Sequence, residues 1–177
     1  MKEFLVELFA EHKTIIVFLH ILSAVVWVGG MIAMRFAAHH SFMELEPAQR
    51  LPRVAHGLKR LFTIVSPFVL VLIITAVIMA VGLGFRAAAV DANGNVIDDY
   101  AMHIYNLVHV KEVIWMLMAV NLGAMILRRN KAQKLIETGD MAGAKRALEL
   151  IGKYMVPVNI ILGIVAIYLG VTLRNAY

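Results

Sequence analysis

Four stretches of the chain, residues 14–38, 61–85, 105–128 and 154–174, are apolar for long enough to cross a bilayer. The hydrocarbon layer is ~30 Å thick and a helix rises ~1.5 Å per residue, so about 20 apolar residues suffice. The third stretch is the least uniform, with Lys111 and Glu112 near its start. Ahead of the first, Glu3, Glu7 and Glu11 recur every four residues opposite Phe4, Leu5, Leu8 and Phe9, which predicts an interfacial helix ending near His12. Residues 39–60 and 129–153 are polar, basic connectors; Pro47 and Pro52 act as breakers in the first, and the second is helical by pattern. Residues 86–104 predict a water-exposed loop. Asp91, Asn93 and Asn95 have the opening spacing of a calcium loop, but Gly94 comes at the fourth position and Met102 stands where a glutamate belongs, so an Asn-Gly turn or small hairpin is expected. The whole predicts an all-α, polytopic membrane protein, one domain built as a four-transmembrane-helix bundle.

Composition agrees: 61% of the 177 residues are hydrophobic and 16% charged, too greasy for a soluble domain of this size. Residues 1–13 carry three glutamates and no small-residue cleavage site, so the first stretch is expected to stay in the membrane as an anchor. The two basic connectors, counted from Arg35 and from Arg128, hold twelve of the seventeen lysines and arginines. By the positive-inside rule they are cytoplasmic, which puts both termini in the periplasm of a bacterial inner membrane. The formal charge of +5 is explained by this distribution and calls for no nucleic-acid partner. With no cysteine, the chain has no disulfide, thiolate metal site, iron–sulfur cluster or thioether-linked haem.

An ionisable ring inside an apolar span is costly and marks a functional site by default. His20 is such a ring, with Trp27 seven residues on, then Gly29-Gly30, Arg35 and the His39-His40 doublet. Span three echoes it weakly with His109, Trp115 and Arg128-Arg129. Spans one and three run the same way, so His20 and His109 lie at similar depth. Two neutral imidazoles so placed are suited to ligating a haem iron from both sides; the bland alternative is that each hydrogen-bonds across the bundle. Lys111 and Arg35 are candidates for propionate contacts. Trp27 and Trp115 either flank a macrocycle or pack the core, and Gly29, Gly30 and Gly123 allow close approach of a helix or a flat cofactor. His12 and His103 form an outer pair, and His39, His40 and His56 lie at the cytoplasmic face; each set is a weaker metal or second-haem candidate. Lys111 and Glu112 are placed to pair locally, and Asn121 and Asn159 to hydrogen-bond across helices.

The run His20-x6-Trp27-x-Gly29-Gly30 followed by Arg35 resembles the first span of the copper-resistance CopD family and of the related HemJ-type protoporphyrinogen oxidases. Leu58–Leu61 (LKRL) leading to Pro67, and the His109-x-Lys111 pair, extend the likeness. The chain departs from the HemJ pattern at Asn121, where a second histidine is expected, and in lacking the later Asn-Glu-x-Pro signature. The resemblance implies a small helical membrane protein binding haem b. The expected job is electron transfer between a quinone or protein donor and another redox protein, an oxidase acting on a porphyrin-like substrate being a special case. Two other classes stand beside it. One is a copper-handling protein using His12, His20, His103 and His109; the other is a structural or assembly subunit. A homo-oligomer is compatible with each.

Overall fold

The computed structural model describes residues 2–174. Among these the regular structure is all helical, apart from one isolated antiparallel bridge between Val90 and Val96. Four continuous helical runs, Lys2–Met43, Pro47–Ala89, Asp99–Glu137 and Met141–Arg174, are long and apolar enough to cross a membrane.

The first run comprises α1 (Lys2–Ile32), a π-helical turn (Ala33–Ala38) and the short α2 (His39–Met43). The expected amphipathic lead-in is the start of α1, which bends at His12, where φ −118° and ψ 22° leave the helical region. Helix α3 (Pro47–Gly82) begins earlier than the expected connector allows. Pro47 starts it, because the first helical residues need no intrahelical donor. Pro52 is inside the helix and does not break it: one missing donor so near the N-terminus forfeits a single bond of a 36-residue helix. The short α4 (Phe85–Ala89) follows Gly84, whose φ of 67° turns the chain. The outer loop closes by the expected Asn-Gly turn, Asp91 Oδ1 accepting the backbone N–H groups of Asn93 and Asn95 at 2.8 Å each.

Helix α5 (Asp99–Glu137) is capped by Asp98, whose carboxylate accepts the Ala101 N–H at 2.9 Å. It runs past the expected end of the third span and stops at Gly139, φ 83°. Helix α6 (Met141–Leu150), a π turn (Ile151–Met155) and α7 (Val156–Arg174) complete the chain.

Helix α1 packs on α3 and α7, and α5 packs on the same two, so α1 and α5 lie diagonally across the bundle. The centre is filled by Trp27, Val28 and Met31 of α1, Val65 and Leu72 of α3, Met118, Leu122 and Met125 of α5, and Ile160 of α7. Gly163 lets α7 approach α1, a Cβ there falling 2.5 Å from Val28 Cγ2. Of the three expected close-approach glycines only Gly30 meets a neighbour, Leu61; Gly29 and Gly123 face open space. The outward faces remain apolar, with Phe18, Ile21, Leu70, Ile74, Leu117, Val120, Ile161 and Ile164 all exposed. Water would oppose so much exposed apolar surface; lipid tails would not.

Candidate functional site

Along α1 the inward stripe is His20, Ser23, Trp27 and Met31, spaced three, four and four residues, so these side chains stack on one helix face. Ser23 turns its hydroxyl back on Leu19 O at 2.7 Å, and Trp27 and Met31 are each 1% exposed. His20 is half-buried. Its Nδ1 lies 3.0 Å from Thr75 Oγ1 on α3. Thr75 is buried, and its hydroxyl is 2.7 Å from Val71 O and 3.0 Å from Leu72 O.

These distances favour one tautomer. A threonine hydroxyl has one proton, and the backbone carbonyls of its own helix take it. Towards His20 the oxygen is therefore an acceptor, so Nδ1 carries a proton. In the neutral ring the lone pair is then on Nε2.

The third group is Lys111 of α5. Its Nζ lies 3.2 Å from where a Cβ of Gly170 on α7 would stand. It is an electrostatic neighbour of His20 and forms no hydrogen bond or ion pair among the described residues. A half-buried histidine, its acceptor on a second helix and an unpaired ammonium from a third thus share one side of the bundle.

His109 is not among them. Its Nδ1 is 2.9 Å from Glu112 Oε2, its ring meets Tyr105 edge-on at 4.4 Å, and its side chain is 49% exposed. The expected pairing of His20 with His109 is not assembled. The reason is angular. Residues two apart on a helix point ~200° from each other, so with Lys111 facing inward His109 faces out. Glu112 correspondingly pairs with His109 and not, as expected, with Lys111.

The remaining candidates stay apart. His12 is exposed, 3.8 Å from Glu11, and His103 is exposed as well. Arg35 lies over the Phe36 ring at 5.9 Å; His39 and His40 are exposed on α2, and His56 Nε2 accepts from Arg60 at 3.0 Å. Among the described residues no three of His, Asp and Glu converge as a metal-ligand set. Trp27 and Trp115 both keep buried indole N–H groups that have no hydrogen-bond partner among the described residues. Asn121 and Asn159 are joined as expected, Nδ2 to Oδ1 at 2.7 Å, with Asn121 also reaching Met155 O at 2.8 Å.

Thr75 carries no sequence signal of its own. Lys111 does: Ile104, Leu107, Lys111, Ile114, Met118, Leu122, Met125, Arg129 and Ala132 keep a spacing of three or four residues that selects it and leaves out His109.

The donor chemistry fits a haem in part. His20 has Nδ1 held by Thr75 and would present Nε2 to a metal, the usual arrangement of a metal-ligating histidine, and Lys111 offers a countercharge for a propionate. A second axial histidine from this chain is not in place. No family model, curated protein or solved structure matches the chain, and the resemblance of the first span rests on the residues quoted for it.

Proposed function

We propose that the chain crosses a bacterial inner membrane four times, with both termini on the periplasmic side, and binds a b-type haem through His20 to carry electrons. The membrane placement is supported by the four long apolar helices with apolar outward faces. The haem reading is carried by one observation, the His20 Nδ1 held by the Thr75 hydroxyl oxygen, an arrangement in which the lone pair falls on Nε2. In this reading His20 ligates, Thr75 orients the ring, and Lys111 neutralises a propionate that the low-dielectric interior would otherwise disfavour. Haem bound there would supply one-electron transfer between a quinone-level or protein donor and a second redox protein. His109, tied to Glu112 on the outer face, has no ligand role in this arrangement.

The test is a reduced-minus-oxidised visible spectrum of detergent-purified protein expressed with haem supplied. The expected result is a b-type signature that is lost in His20→Ala and kept in His109→Ala. Loss in both variants restores the two-histidine site. A colourless wild type refutes haem binding, and copper titration of that protein would follow.

A further inference from the structure

At the basic end of the bundle, away from His20, a cleft of about 330 Å3 opens between the end of α5 and α6. Arg128, Lys131 and Leu135 line it from one face of α5, being three and four residues apart, while Asp140, Gly143 and Arg146 line it from the α6 side. We propose that this cleft is a binding site for a phosphomonoester group.

The argument begins from partners. Arg128, Lys131 and Arg146 make no hydrogen bond or ion pair among the described residues. Two basic neighbours outside the cleft, Arg129 and Lys145, are engaged. Arg129 is buried and donates through Nε to Ala55 O at 2.9 Å, with Asn130 and Gln133 taking its other N–H groups. Lys145 pairs with Glu149 at 3.7 Å. Lys134, outside the cleft, is likewise unpaired among the described residues, but of these cations only Arg128, Lys131 and Arg146 line one shared cavity. Three like charges around one small space repel, and no group among the described residues fully offsets them. Asp140 is the single carboxylate in the lining, and it is committed to capping α6 through the Gly143 N–H at 2.8 Å.

Three cations and one carboxylate leave a net +2. A phosphomonoester carries about −1.5 to −2 at neutral pH with three acceptor oxygens, and so balances that charge better than a phosphodiester. The two guanidinium forks suit bidentate contact with phosphate oxygens, and the lysine adds a point charge. Arg128 directly follows the last apolar residues of the third stretch, the level at which headgroups lie. Two sources share this chemistry: a lipid with a phosphomonoester headgroup, and a soluble phosphomonoester. The site does not depend on the haem reading.

The experiment measures binding of the purified full chain to vesicles of phosphatidic acid in phosphatidylcholine, to phosphatidylcholine alone, and to free glycerol phosphate. Wild type is compared with Lys131→Gln, Arg146→Gln and the control Lys145→Gln, all at exposed positions. Each cleft substitution should weaken phosphatidic acid binding about fivefold while Lys145→Gln leaves it unchanged. Glycerol phosphate binding with the same dependence on Arg146 supports the site with a soluble source. Equal binding to both vesicle types without glycerol phosphate binding, or equal losses in Lys145→Gln and Arg146→Gln, overturns the proposal.

Discussion

Replacing Thr75 by valine keeps the shape of the side chain and removes the side-chain group that holds His20. Thr75 is 4% exposed, so a methyl in place of the hydroxyl meets the same neighbours. Loss of the hydroxyl's own bonds to Val71 O and Leu72 O costs little, because those carbonyls already accept helix N–H groups. The substantial loss is the 3.0 Å contact from His20 Nδ1. An orphaned buried donor costs roughly 1–3 kcal/mol in water-soluble proteins. Interhelical side-chain bonds in membrane proteins average about 0.6 and reach about 1.7 kcal/mol, and His20 is half-buried, which favours the lower half of the range. A coupling of about 1 kcal/mol is therefore expected from a cycle of Thr75→Val, His20→Leu and the double variant, measured by reversible unfolding in mixed detergent micelles. The same substitution should release the tautomer: 15N-histidine spectra should show His20 protonated at Nδ1 in the wild type and a mixture in Thr75→Val. If haem sits on His20, its retention should fall about 10- to 100-fold. A coupling indistinguishable from zero, or a wild-type ring protonated at Nε2, refutes the reasoning whatever the cofactor.

Three further outcomes are expected. Asn159→Leu and Asn121→Leu should each destabilise by about 1 kcal/mol and the double variant by less than their sum, since the two amides share one bond; additive losses in the same unfolding assay would contradict that. Gly163→Ala should cost roughly 1–3 kcal/mol by pressing on Val28, and Val28→Ala should recover part of it, so the absence of any rescue would place the contact elsewhere. Asp91 is held below the usual carboxylate range first by the Asn95 side-chain amide and then by the Asn95 N–H, so its contribution to the outer turn is present above the free carboxyl's pKa and is lost as pH falls through its own lower value. Amide exchange at Asn93 and Asn95 should accelerate in acid, and Asp91→Asn should abolish that pH dependence.

The four apolar stretches, the amphipathic lead-in up to His12, the Asn-Gly turn and the Asn121–Asn159 bond are all legible along the chain. Apolar length and local turn chemistry act over a few residues and need no partner. Helix boundaries read less well. Polar residues 39–60 and 129–153 suggest connectors, yet α3 begins at Pro47 and α5 continues to Glu137, because polar residues extend a helix into water as readily as they leave it.

The site divides along the same line. Helical periodicity determined that His20 faces inward with Ser23, Trp27 and Met31, and the three-four spacing in α5 equally selects Lys111 over His109. Matching depth alone pairs His20 with His109, but depth is one coordinate, and a side chain on a helix also needs the right angle about its axis. That Thr75 meets His20 was decided only by the tertiary structure. Their contact depends on how far α1 slides along α3, a register set by packing such as Gly30 on Leu61 and Gly82 on Phe9, and no local pattern in either helix encodes it.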